Sequence, residues 1–504
     1  MLEKKLLINK TSSETRIALL ENGRLAEIFI EKNSRKSVVG NIYKGIVVRV
    51  LPGMNSAFID IGLEKAAFLY GGDTYSSEDG QLTPTSLEEE KEGEEKTVAI
   101  IQNNLKAGQE IIVQIAKEPI GTKGPRVTMH PTLAGRYLVL MPYTPYTALS
   151  RKIVEPDEKA RLTQISEKLY EENKVGVIVR TSAQGISKEP VCRDFYQLKK
   201  NWDSLCLKIN NSKSPSLLYS ELDLTKKIVR DFFDTGISSI IVDHYNTYQE
   251  LRSFLSENIS EAFKCLKLYN EKIPLFDIYG IEVDIARALR RKIELPSGGY
   301  LVIDQTEALT AFDVNTGKYV GKANAQETIL TTNKEAAVRV VEQLRLRNIG
   351  GIIIIDFIDM ESTEDQKTIS DFFADELKND RALTKVFPVN ELGLVQLTRK
   401  RTIDSLEKKL LSVCPFCEGQ GSIKSIQTES LDLLREITRQ SLQKKSKHIK
   451  AYVRSDIYEW TMKNEKKLLK KICDDLEIEI EFIDSKINFD FLRQLPFEVI
   501  TDNP

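Results

Sequence analysis

Residues 324–360 read "NAQETILTTNKEAAVRVVEQLRLRNIGGIIIIDFIDM", and two periods follow one another in them. Ile329, Ala336, Ala337, Val340, Val341 and Leu344 recur at three- and four-residue spacing, which predicts an amphipathic helix. Gly350 or Gly351 suits the left-handed cap that would end it. The four isoleucines that follow, with no polar break, fit a strand covered on both faces. Upstream, "GGYLVIDQTEALTAFDVNTG" (298–317) supplies two more strands. Strand, helix and strand then form a crossover unit, which joins parallel neighbours in one sheet.

That topology has a chemical consequence. Asp313 and Asn315 stand where one apolar strand runs out, Asp356 ends the isoleucine run, and Asp359 follows three residues later. If the two strands are neighbours, both aspartates emerge at one sheet edge, where open α/β sheets place ligands. Converging carboxylates repel unless a cation lies between them, and Mg²⁺ suits such a place because it takes one or two carboxylates plus phosphate oxygens. A single aspartate at a strand end is more often a turn cap. Two, with an asparagine beside one, favour a metal-dependent hydrolase acting on phosphate.

Composition bounds the rest. A chain of 504 residues exceeds one hydrophobic core, so several domains are expected. Six cysteines, mostly isolated, argue for reduced thiols; no secretory leader or apolar run of spanning length is visible, so a cytoplasmic location is expected. The net charge is −2, but residues 71–98 carry nine acidic residues against two lysines, leaving the remainder at +5. Basic clusters at 397–402 and 444–450 are then candidates for phosphate contact, each more simply a solvated surface.

Short alternating strands at 40–70 and 107–129, separated by the acidic insert, fit a small OB-type barrel after an opening strand pair. On it Phe58, Phe68 and Lys123 are placed to stack bases and hold a nucleic-acid backbone, unless both phenylalanines fill the barrel core. Residues 130–222 read as strand-rich. There "VIVRTSAQG" sends Arg180 and Thr181 together into a glycine loop, a pairing suited to a terminal phosphate. The last segment, 425–504, has a weak pattern. "SVCPFCEGQGS" (412–422) supplies two zinc ligands, Cys414 and Cys417, where a structural site needs four. With no second C-x-x-C in the chain, the simplest completion is a zinc shared between two subunits.

In their order along the chain, "GNIYKGIVVRV", "AFIDIG", "RYLVLMP", "IVRTSA", "DQTEALTAFDVNTGKYVG", "TNKEAAVRVVEQLRLRNIGGIIIIDFIDM" and "CPFCEGQG" resemble the ribonuclease E/G family of bacterial endoribonucleases. The resemblance implies a multidomain α+β architecture. Its parts are an RNase H-like domain split over 1–38 and 223–290, an S1 OB-fold domain at 39–129, a 5′-sensor domain at 130–222, a DNase I-like α/β catalytic domain at 291–409, a zinc link at 410–424 and a small dimerisation domain at 425–504. It implies that Asp313, Asn315 and Asp356 form a Mg²⁺ centre, with Asp359 left as structural. A metal-activated water would then cut single-stranded, AU-rich RNA to leave a 5′-phosphate and a 3′-hydroxyl. It also implies that Arg180 and Thr181, with Arg151 near them, sense a 5′-monophosphate, and that Phe58, Phe68 and Lys123 grip RNA. Zn²⁺ on Cys414 and Cys417 would join a homodimer, and rRNA precursors and mRNA are the implied substrates in rRNA maturation and mRNA decay. Two departures stand out: the long acidic insert, and Ala67 where the family has glycine. The chain ends soon after the dimerisation segment, which fits the shorter type in the family, without a scaffold tail.

Two other readings compete. A non-catalytic S1-type RNA-binding protein would bind RNA without Mg²⁺-dependent cleavage. A thiol oxidoreductase would need "CPFC" at a helix N-terminus, and the glycines after it are poor helix starters.

Overall fold

A computed structural model describes residues 3–74, 101, 105–119, 123–234, 236–317, 325–390, 392–400, 404–415, 417–444, 446–484 and 497–501. The chain divides into two compact units, Met1–Leu406 and Glu407–Pro504. Most of the acidic insert, residues 75–98, lies outside the described residues.

The opening segment is a three-stranded meander rather than the expected pair: β1 (Lys4–Lys10), β2 (Glu14–Glu21) and β3 (Arg24–Lys32). Asn22 and Gly23, both at positive φ, make the two-residue turn between β2 and β3, a signal that the sequence carries in plain view. The barrel follows as expected. β4 (Ile42–Leu51), β5 (Ser56–Asp60), β6 (Ala67–Tyr70), β7 (Glu110–Lys117) and β8 (Arg126–Thr128) pair in the order β4-β5-β6-β8-β7, and β4–β7 pairing closes the circle. Ala57, Ile59, Ala67, Leu69, Val113 and Val127 fill it. The Ala67 methyl is thus a fully buried part of this core.

Residues 130–222 are not strand-rich. Their strands β9 (Leu133–Ala134), β10 (Leu138–Met141), β11 (Ala148–Leu149) and β12 (Gly176–Val179) are short, and most of the segment lies in α1 (Pro156–Asn173) and α2 (Lys188–Asn211). Val191, Phe195, Leu198, Trp202 and Leu205 bury one stripe of α2 at helical spacing, the period that the strand reading overlooked. β13 (Ser216–Tyr219) then returns to pair with β4. Beyond α3 (Leu224–Phe232), β14 (Ile237–Val242) lies parallel to β1; α4 (Tyr245–Asn258) leads on to β15 (Leu266–Leu268), which lies parallel to β14. Segments on either side of the barrel in the chain therefore share one sheet, ordered β15-β14-β1-β2-β3.

The crossover unit sits in a six-stranded sheet. β16 (Lys292–Glu294), β17 (Tyr300–Gln305), β18 (Leu309–Asn315), β19 (Gly351–Asp356), β20 (Thr384–Phe387) and β21 (Leu394–Arg399) take the order β16-β17-β18-β19-β21-β20. α5 (Ala325–Leu346) joins β18 to β19, its parallel neighbour, and α6 (Thr363–Glu376) follows β19. Two expectations need correction. The α5 cap is Asn348, at φ 48°, with the Ile349 amide donating back to the Leu344 carbonyl; asparagine tolerates the left-handed region without being glycine. The isoleucine strand is covered on one face only: Ile353 and Ile355 are fully buried under the helices, while Ile352 is 52% exposed. An unbroken apolar run hides an ordinary alternation when the outward residues happen to be apolar too.

Polar contacts tie the segments of the first unit together. Lys152 Nζ donates to the carbonyls of Asp380, Arg381 and Ala382 at 3.0, 2.6 and 3.1 Å, and burial pushes its ammonium below the usual lysine range. Arg345 on α5 holds Glu21 through two bonds of 2.8 and 2.9 Å and reaches Glu27 at 3.0 Å.

The second unit, whose pattern in the sequence is weak, has α7 (Ile426–Lys444), β22 (His448–Val453), α8 (Ser455–Asn464), α9 (Lys466–Leu476), β23 (Glu479–Asp484) and β24 (Phe497–Thr501). Its sheet runs β23-β22-β24, parallel then antiparallel, over a core of Leu433, Ile437, Ile449, Ala451 and Leu469. Among the described residues no helix is long and apolar enough to cross a membrane.

Candidate active site

Alternation along β18 buries Phe312 and Val314 against the helices, so Asp313 and Asn315 project from the opposite face. On β19 the burial of Ile353 and Ile355 does the same for Asp356. Parallel register then sets Asp313 directly beside Asp356. Asn315 Nδ2 donates to Asp313 Oδ2 at 2.9 Å, which fixes the orientation of that carboxylate. Burial, and then the charges of Asp313 and Asp359, push the Asp356 carboxyl above its ordinary range. Two carboxylates thus share one sheet edge, with the charge of a third, Asp359, felt from beyond the strand end, a setting in which a divalent cation is welcome.

Two supporting residues were not found from the sequence. Asn333, fully buried on α5, receives the Ile358 amide at 3.0 Å and donates to the Ile358 carbonyl at 2.9 Å. It pins the turn leaving Asp356 as a neighbouring strand would. Gly299 is required where it stands, because a Cβ there would lie 2.6 Å from the Asn315 carbonyl oxygen. Among the described residues, no three His, Cys, Asp or Glu side chains gather as a complete metal cage.

The barrel residues lie outside its core. Phe58 and Phe68 oppose each other across β5 and β6, edge to face with centroids 6.0 Å apart, and Phe58 is 36% exposed. Lys123 is exposed just before Gly124, whose missing Cβ lets the segment leading into β8 lie against the Ala66 carbonyl, 1.9 Å from where a Cβ would sit.

Arg151 and Arg180 leave the same ends of two parallel neighbours, since Leu149 on β11 pairs with Val179 on β12. Thr181 opens an exposed turn held by Glu158, which accepts the Gly185 amide at 2.8 Å. The bond from Arg161 is the main reason that the Glu158 carboxyl falls to about 2.

Cys414 and Cys417 lie in a knuckle without helix: the Glu418 amide donates to the Cys414 carbonyl and the Gln420 amide to that of Cys417, at 2.9 and 2.7 Å. Glu418, Gly419 and Gly421 take positive φ there, and the next helix begins only at Ile426. The thiolates therefore lack the helix N-terminus that a redox C-x-x-C uses.

Residues 132–402 match the model of the Ribonuclease E/G family, and residues 413–490 that of the "RNase E/G, Thioredoxin-like domain". Over 434 residues the chain is 43% identical to Ribonuclease G of Escherichia coli, covering 86% of this chain and 87% of that one. The figure for Ribonuclease G of Haemophilus influenzae is 44% over the same shares. Ribonuclease E of Nostoc is 36% identical over 416 residues, 80% of this chain and 58% of its own.

Proposed function

The chain belongs to the ribonuclease E/G family and is an endoribonuclease; from that premise we propose that it cuts single-stranded RNA in a Mg²⁺-dependent reaction, senses a 5′-monophosphate, and leaves a 5′-phosphate and a 3′-hydroxyl. The observation that carries this is the cross-strand pair Asp313 and Asp356, with Asn315 bonded to the former and the Asp356 carboxyl pushed up by burial and then by the charges of Asp313 and Asp359. Asp313 and Asp356 fit a hard cation, being oxygen donors side by side on a rigid sheet, and they would hold it. When bound, Mg²⁺ supplies a Lewis acid that lowers the pKa of a water and offsets charge developing on the phosphate. Asn315 keeps the Asp313 carboxylate in one orientation, and Asn333 holds the turn behind Asp356 so that the pair does not spread. Phe58 and Phe68 offer two ring faces to bases, and Lys123 a charge to the backbone. Arg180, Thr181 and Arg151 form the 5′-phosphate pocket.

The domain reading accompanies this function: S1 at 39–129, sensor at 130–222, RNase H-like parts at 1–38 and 223–290, and a DNase I-like part at 291–409. Cys414 and Cys417 fit half of a tetrahedral Zn²⁺ site, completed by the same pair from a second subunit. Precursor rRNA and mRNA are the substrates this reading assigns.

Cleavage of matched 5′-monophosphate and 5′-hydroxyl oligonucleotides, with Mg²⁺ and with EDTA, tests it. The expected result is faster cutting of the phosphorylated strand, lost in EDTA and reduced at least about 100-fold by Asp313→Asn. Full activity of that variant, or activity in EDTA, overturns the reading.

A further inference from the structure

Arg180 is held from a distant part of the chain. Its Nη1 donates to the Gly135 carbonyl at 2.6 Å and to Asp231 Oδ1 at 2.8 Å. Gly135 belongs to a loop that is itself pinned: Asp194 on α2 accepts the amides of Arg136, Tyr137 and Leu138 at 3.2, 2.7 and 3.0 Å. A Cβ on Gly135 would stand 2.5 Å from an Asp194 oxygen, so the loop closes on that carboxylate only with glycine. Asp231, on α3, is oriented in turn by Arg230, whose Nε and Nη2 donate to its two oxygens at 3.0 and 3.3 Å. Burial would raise the Asp231 carboxyl, but Arg230 and then Arg180 outweigh it and keep it below its ordinary range. Arg230 is nearly buried and also binds Glu221 at 3.1 Å and the Ala134 carbonyl at 2.8 Å, so it does not swing.

The consequence for Arg180 is geometric. Its Nη1 is committed, and among the described residues the bonds it makes through its side chain are confined to that nitrogen. The Nε–Nη2 edge, the one that grips a phosphate bidentately, is left over and held in one orientation. Arg180 and Arg230 are each paired with a carboxylate, Asp231 for both and Glu221 for Arg230 as well. Discrimination then rests on how well the fixed fork fits a terminal phosphate.

We propose that Asp231 is a positioning residue for 5′-end recognition, fixing the Arg180 guanidinium so that its open edge selects a terminal monophosphate. This rests on the reading of Arg180 as a 5′-phosphate contact. The test compares kcat/KM for 5′-monophosphate and 5′-hydroxyl oligonucleotides in the full chain for wild type, Arg180→Ala, Asp231→Asn, Asp231→Glu and the Arg180→Ala/Asp231→Asn double variant. Asp231→Asn should lower the ratio of the two by about tenfold, as expected for losing one charge-assisted hydrogen bond, and through KM rather than kcat. Asp231→Glu should fall between it and wild type, and the double variant should match Arg180→Ala, because Asp231 acts through Arg180. A ratio kept by Asp231→Asn but lost in Arg180→Ala overturns the inference alone, as does an equal loss on both substrates, which marks a structural role. A ratio kept by Arg180→Ala overturns the underlying reading. If Asp231→Asn does not fold, a wild-type ratio in Asp231→Glu overturns the inference.

Discussion

At the scale of single residues, Asp356 sits among charges of its own sign, and this has a measurable price. Folding raises its pKa through burial and then Asp313 and Asp359. Such an acid holds its proton more tightly folded than unfolded, so stability falls as pH rises through the window above the ordinary carboxylate value. In EDTA, Asp356→Asn should therefore melt above wild type at neutral pH, and the gap should close as pH falls through and below the ordinary carboxylate range, about 4, where the carboxyl takes up its proton in both states. A gap that widens on acidification would contradict the assignment. Phe58, exposed, and Phe68, half-buried beside it, make the complementary case, as aromatics outside the barrel core. Phe58→Ala should weaken single-strand binding by about 1–3 kcal/mol, read by fluorescence anisotropy, while costing the fold no more than the edge-to-face pair it breaks, about 0.5–1.5 kcal/mol. Asp313, Asn315 and Asp356 were legible in the sequence because each stands next to an apolar run that ends there. Asn333, Asp231 and Lys152 were not, because each acts on a segment at least 25 residues away and belongs to no local period.

Among the elements, β19 separates what the pattern says from what packing decides. Four isoleucines in a row look equivalent, yet Ile353 and Ile355 face the helices and Ile352 faces outward. Ile353→Ala should cost about 2–5 kcal/mol, as a fully buried truncation does, while Ile352→Ala should cost about 1 kcal/mol or less. The two chemical unfolding midpoints distinguish these outcomes, and equal losses would mean that both faces are covered. The barrel and the crossover unit could be read from the sequence because turns, periods and a shared strand edge are local signals. The helices within residues 156–211 run against the strand reading: the valines and isoleucines near Gly176 do form a strand, β12, but a short one, and the long buried stripe on α2 has helical spacing. Which strand lies beside which in the sheet of β1 and β14 depends on pairing across more than 200 residues, which no window reveals.

For the whole molecule, a single C-x-x-C pair, which supplies two of the four ligands of a structural zinc site, predicts stoichiometry. Purified protein should carry about one zinc per two chains and sediment at twice the chain mass. Cys414→Ser with Cys417→Ser should release the metal and yield monomers in analytical ultracentrifugation; one zinc retained on each monomer would refute a shared site. Inside the first unit the cohesion is of another kind. Three carbonyls at the end of the turn after α6 are served by Lys152, from a stretch more than 200 residues earlier. Removing residues 130–222 would strand those carbonyls, and excising the six-stranded sheet with its helices would leave the half-buried Lys152 ammonium without those three acceptors. The borders drawn along the chain are therefore not seams: a scalpel placed at any of them before Leu406 cuts through a joint that both sides need.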